Sequence, residues 1–181
     1  SHADFSLPVC PTAESLVHQG ITAAVVGQCG FSPAPLMEET RAHVIRQMDA
    51  ALGRAGKPLP WERWTSFKTY LEDLSRAGTS LNVVPLVGQG TVRAGVMAFG
   101  PGPANPEQRA RMTAAVAQAM DEGAFGLSTG LIYPPGSFTH ADEIAAIARP
   151  VGDRGGIYFS HIRGEADTLL TAISEAIRIG R

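Results

Sequence analysis

Apolar runs and helical repeats take turns along this chain. Positions 21–26, 81–87, 124–127 and 156–159 are short, mainly apolar runs. Each ends in small or polar residues: Gly27-Gln28-Cys29-Gly30, Gly88-Gln89-Gly90, Ser128-Thr129-Gly130 and Ser160-His161. Between them, apolar residues recur at helical spacing. Met112, Val116 and Met120 do so within 106–122, Ile144, Ile147 and Val151 within 141–154, and Leu169, Leu170, Ile173 and Ile177 within 166–179. A shorter helix is expected at 11–19, with Thr12 as N-cap and Gly20 as its stop. Continuous apolar runs suit parallel strands buried on both faces. Strand alternating with helix predicts an α/β fold with right-handed crossovers.

One stretch breaks the rhythm. Positions 33–78 hold two helical patterns, 37–52 and 62–77, joined by Gly56-Lys57-Pro58-Leu59-Pro60, and no convincing strand. A helical excursion of this kind commonly shapes a substrate pocket. Two architectures fit the whole pattern, an open doubly wound sheet and part of a (β/α)8 barrel, and both place chemistry at the carboxyl ends of the strands. If Ser1-His2 is the tail of a first strand, the chain supplies about the first five strands of a barrel, which takes about 250 residues when complete. The expectation is a single partial barrel domain over 1–181, with a helical insertion at about 33–79. Functional-looking residues at the start and an apolar helical pattern running to Arg181 suggest a piece of a larger domain.

Composition narrows the function classes. With 44% hydrophobic and 18% charged residues in 181, there is material for one sizeable core. A net charge of −2 gives no electrostatic footprint for nucleic acid or anionic lipid. The apolar runs are too short to span a bilayer, and no signal-peptide pattern opens the chain. Two cysteines, Cys10 and Cys29, make no disulfide framework, so a reducing cytoplasm is the expected compartment. Arg41, Arg46, Arg54, Arg63 and Lys68 lie among Glu38, Glu39, Glu62 and Glu72, as on a solvated face. A dinucleotide fingerprint starting at Gly88 fails, because its third glycine falls at Arg93.

The strand ends offer Cys29, Gln89, Ser128, Thr129 and His161, with His2 added if a first strand ends there. Thiolate and imidazole are natural zinc ligands, and three protein ligands plus water make a catalytic site. Each residue also has a plain reading. Cysteine packs as a small hydrophobe, and a histidine after a strand often only satisfies a local hydrogen bond. His18, His43 and His140 fall away from strand ends and are expected to be solvated.

Four segments then carry a resemblance: Gln19-Gly20-Ile21-Thr22 through Gly27-Gln28-Cys29-Gly30-Phe31-Ser32-Pro33, Glu122-Gly123-Ala124 through Gly126-Leu127-Ser128-Thr129-Gly130-Leu131-Ile132-Tyr133-Pro134-Pro135-Gly136, Ser160-His161-Ile162-Arg163 with Glu165, and Ser1-His2-Ala3-Asp4. In order and over nearly the whole chain they resemble the N-acyl-D-amino-acid deacylases (D-aminoacylases) of the amidohydrolase superfamily. The resemblance implies a TIM-type barrel with zinc at its carboxyl end. It assigns the tightly held metal to Cys29 and His161, a weaker or second metal position to His2, and substrate contact to Tyr133. The family's first strand-1 histidine would precede Ser1. Its third tight ligand and its catalytic Asp would follow Arg181, so no catalytic residue is expected within the chain. Gln28 replaces the usual Asn, and Gln89 stands where a His is common. The implied reaction is hydrolysis of N-acyl-D-amino acids to a carboxylate and a free D-amino acid. Zinc would polarise the amide carbonyl and lower the pKa of water. A cyclic amidase of the hydantoinase or dihydroorotase type is the nearest rival, but 124–129 lacks the lysine such enzymes usually carry. A non-catalytic α/β module is the other. The expected partner is the small-molecule N-acyl-D-amino acid, and an open barrel edge adds an expected homodimer.

Overall fold

The computed structural model describes residues 1–52 and 58–181. Gly56 and Lys57 of the expected joining segment, and Arg54, lie outside the described residues. Four parallel strands, β1 (Ala23–Val26), β2 (Asn82–Gly88), β3 (Gly126–Gly130) and β4 (Ile157–His161), form one sheet in the order β1-β2-β3-β4. Register pairs Val26 with Pro85, Gly88 with Ser128 and Gly130 with His161. Spatial order follows chain order with no reversal. A doubly wound sheet reverses its order at a switch point, whereas an arc of a barrel does not. The sheet is therefore an arc of the barrel kind.

The strand expected at the very start does not form, so the described residues hold four strands rather than about five. Ser1 donates from its ammonium group to the Val25 carbonyl (2.9 Å), beside β1, and the chain then turns into a 3-10 helix at Ala3–Phe5. Burial on both faces holds at the centre only. The second half of β2 and all of β3 are buried, β1 alternates, and β4 exposes Ile157 and Phe159 on one face.

Seven helices flank the strands among the described residues: α1 (Glu14–Val17), α2 (Arg41–Leu52), α3 (Phe67–Ala77), α4 (Gln89–Met97), α5 (Pro106–Asp121), α6 (Ala141–Gly152) and α7 (Leu169–Ile179). Two have reciprocal capping boxes, Ser66 with Thr69 on α3 and Asn105 with Gln108 on α5, where Pro106 also occupies the first turn. The N-cap of α1 is Ala13 in the left-handed region rather than Thr12. Helix α4 lies where the sequence pattern assigns no element. It starts directly at the end of β2, and Gly90, Gly95, Thr91 and Val92 give it weak intrinsic propensity. Its stability comes from burial, since every residue from Gln89 to Gly95 is buried.

The excursion after β1 is helical as expected, with α2, a 3-10 turn at Trp61–Arg63, and α3. An aromatic chain fastens it to the start of the protein. Phe5 meets Trp61 at 6.1 Å between ring centroids, Trp61 meets Trp64 at 5.4 Å, and Trp64 meets Tyr70 at 5.4 Å. Both indole N–H groups are satisfied, by Asp49 and Asp73. Thr40, just before α2, donates to the Gly95 carbonyl (2.6 Å), tying α2 to α4. Helix α2 thereby packs beside α4 at the carboxyl end of β2, whereas α3 reaches the segment before β3, where Lys68 N donates to Glu122 (2.9 Å).

Candidate metal centre

Cys29 follows β1 in an unusual backbone state. Its φ is +57°, between Gly27 at +75° and Gly30 at +77°. A left-handed conformation costs a non-glycine residue about 1–2 kcal/mol, so something must hold it. The two glycines allow the sharp turn, and neighbouring glycines let other backbone approach. A Cβ on Gly88 would lie 2.5 Å from the Gly30 carbonyl oxygen, and one on Gly130 would lie 2.1 Å from that of Cys29. Buried polar groups do the fastening. Ser128 Oγ accepts from Gly30 N (3.0 Å) and donates to the Gly27 carbonyl. Asp4 Oδ2 accepts from Gly27 N (3.1 Å), and the Gly30 carbonyl accepts from Thr91 N (3.0 Å).

Asp4 is fully buried and its other carboxylate oxygen has no partner, so burial pushes its carboxyl up to about 7. Buried Tyr70 is raised too, first by burial and then by the Asp4 charge.

Tyr133 bridges the predicted residues. Its hydroxyl donates to the Cys29 carbonyl (3.0 Å) and lies 3.5 Å from His161 Nδ1. Its ring meets His161 edge-on at 5.3 Å and stacks on Phe31 at 5.8 Å. Burial raises the Tyr133 pKa, and hydrogen bonding to Cys29 and the Cys29 charge add to it. His161 Nε2 lies 2.8 Å from Glu165 Oε1, one helical turn's spacing along the chain. His2 is exposed, beside the same group. Its imidazole is lowered by partial desolvation first, then by the chain's ammonium group and by His161.

Cys29, Tyr133 and His161 thus converge, with His2 adjacent. Gln89, Ser128 and Thr129 do not join them. Gln89 is fully buried and donates to Thr139 Oγ1 (3.1 Å), and Thr129 bonds Ser160 and Tyr158. His43 is half-buried against Phe99 rather than solvated. Sequence reasoning missed Asp4, Glu165 and Arg163. Arg163 forms a two-pronged pair with Glu175 and donates to the Ser137 and Thr139 carbonyls, fixing the loop that carries Tyr133. Each of the three lies inside a quoted segment, yet only contact reveals what it holds.

Do these residues suit a metal? A thiol and an imidazole are zinc donors. His161 also presents one ring nitrogen toward Tyr133 while a carboxylate takes the other, an arrangement usual for metal-bound histidine. Among the described residues no three His, Cys, Asp or Glu side chains cluster tightly enough to hold an ion. The donor types suit zinc, while the hydrogen bond from Tyr133 reaches Cys29 at its backbone carbonyl and the described residues hold no complete ligand set.

No family model matches the chain. An N-acyl-D-aspartate deacylase of Alcaligenes xylosoxydans xylosoxydans is 40% identical to it over 100% of the chain and 35% of the relative. A D-aminoacylase crystal structure, described as defining a subset of amidohydrolases, superposes with a TM-score of 0.83 at 32% identity, over 99% of this chain and 36% of that one. The N-acyl-D-glutamate deacylase of Bordetella bronchiseptica, complexed with zinc and a phosphonate mimic of the tetrahedral intermediate, gives 0.84 with the same identity and coverage. The chain spans about a third of the length of these relatives. Sequence and fold agree over that third, where the chain is similar to N-acyl-D-amino-acid deacylases and to a D-aminoacylase of the amidohydrolase kind.

Proposed function

We propose that this chain forms the zinc-gripping part of a hydrolase that cleaves the amide of N-acyl-D-amino acids. The observation carrying this reading is the Tyr133 hydroxyl lying between Cys29 and His161, with Glu165 on the far side of the imidazole. Cys29 and His161 would hold zinc, with His2 at a weaker or second position. When bound, zinc supplies the Lewis acidity that polarises an amide carbonyl and makes water a nucleophile near neutral pH.

The chain's own residues do the remaining work. Glu165 fixes the orientation of the His161 ring. The Ser128, Asp4 and Thr91 hydrogen bonds keep Cys29 in its left-handed turn, so its orientation does not depend on the ion. Tyr133 stays protonated at neutral pH, and its one O–H can serve a substrate oxygen by leaving the Cys29 carbonyl it now bonds. The test is metal content. In a full-length protein carrying this segment and the remaining ligands, zinc retained after dialysis is expected to fall sharply in Cys29→Ala, whereas unchanged zinc in that variant sinks the assignment.

A further inference from the structure

Two buried oxygens near the Cys29 turn have no hydrogen-bond partner among the described residues: Asp4 Oδ1 and the Tyr70 hydroxyl. Asp4 is 0% exposed and Tyr70 1%. They stand at the two ends of the aromatic chain, Asp4 beside Phe5 and Tyr70 on α3. Trp64 and Phe67 hold the Tyr70 ring edge-on, at 5.4 and 6.0 Å, which leaves its hydroxyl little freedom to seek a partner elsewhere. The Asp4 charge acts on that hydroxyl, yet the two groups do not bond directly. Phe5 N–H is also near the carboxylate but donates to the His2 carbonyl (3.3 Å). Buried polar groups just too far apart to bond are commonly joined by an ordered water. The other Asp4 oxygen is already engaged. Oδ2 accepts from Gly27 N (3.1 Å), two residues before Cys29.

We propose that one buried water joins Asp4 Oδ1 to the Tyr70 hydroxyl, and that Asp4 and Tyr70 thereby act as positioning residues for Cys29. The proposal rests on the reading of Cys29 as a metal ligand. Packing on α3 fixes Tyr70, Tyr70 and the water fix the carboxylate, and the carboxylate fixes Gly27 N–H at the entrance to the left-handed turn. The helical excursion is then a brace for the metal grip, and it acts through the chain start rather than by touching the ion.

The experiment uses a full-length protein carrying this segment, with Tyr70→Phe, Asp4→Asn and Asp4→Ala, and with Asn105→Ala as a control destabilised elsewhere. Two quantities are read: hydrogen exchange at the Gly27 amide in metal-free protein, and cobalt(II) affinity from the thiolate charge-transfer band, assigned by its loss in Cys29→Ala. Tyr70→Phe keeps the ring and removes only the hydroxyl. It should speed Gly27 exchange and weaken cobalt binding about threefold each. Asp4→Ala should change both about tenfold. Asp4→Asn keeps an acceptor for Gly27 N and should restore most of the exchange protection. Asn105→Ala should leave both unchanged. A high-resolution crystal structure should show the water, and a direct Tyr70–Asp4 hydrogen bond there would overturn it. Equal exchange and cobalt affinity in wild type and Tyr70→Phe overturn the proposal, as does any change that Asn105→Ala reproduces. If Asp4→Ala fails to fold, Tyr70→Phe and Asp4→Asn decide the matter. A wild type without the thiolate band removes the metal reading of Cys29, while faster exchange in Tyr70→Phe would still establish the brace on the turn. A normal band with unchanged exchange does the reverse.

Discussion

At the scale of single residues, the candidate centre depends on groups that never touch an ion. Ser128 is the clearest. It is fully buried on β3, and one hydroxyl closes the Cys29 turn from both ends by accepting from Gly30 N and donating to the Gly27 carbonyl. Ser128→Ala strands a buried N–H and a buried C=O, at about 1–3 kcal/mol for each group left unsatisfied. We expect a lower denaturant midpoint with an unchanged slope and weaker zinc uptake. A midpoint and zinc affinity equal to wild type would show that the turn holds itself. The chemical types of Cys29 and His161 were legible in the sequence, because strand ends carrying thiol and imidazole stand out. Their fastenings were not. Asp4, Ser128 and Glu165 gain meaning only from partners, and two of those partners are about a hundred residues or more than twenty away.

Among the elements, legibility followed propensity. Helices α5 and α6 were readable because their apolar residues recur at helical spacing, and α5 adds Asn105, Pro106 and Gln108 at its start. Asn105→Ala removes the side-chain acceptor for Gln108 N (2.8 Å) and should cost about 1 kcal/mol, measurable as a lowered midpoint in urea. No change would mean that the exposed cap is replaced by water. Helix α4 was hidden for the opposite reason, since its two glycines and β-branched residues speak against helix and only burial keeps it folded. Gly95 is there for closeness. A Cβ at that position would come 2.6 Å from the Met37 side chain, so the residue that weakens the helix also admits the excursion to it. Local pattern and tertiary demand conflict in α4, and tertiary demand wins.

For the molecule as a whole, the sheet has an uncovered outer edge at β4. Phe159 and Ile157 are 40% and 43% exposed there, and α7 displays Leu170 at 78%. Apolar exposure on β4 beside an unpaired strand edge favours association between chains. Dimers are therefore the expected state in sedimentation at micromolar concentration, with Phe159→Lys shifting the population toward monomer. A monodisperse wild-type monomer would contradict this. The described residues include no helix long and apolar enough to cross a membrane. The α/β alternation was readable from the sequence, but the difference between open sheet and barrel arc was not. That difference lies in strand order, which periodicity does not encode. The same order gives the donor pair a further consequence. Cys29 follows the first strand and His161 ends the last, so an ion shared by them would act as a removable cross-link between the two outermost strands, tightening the frame from one margin to the other.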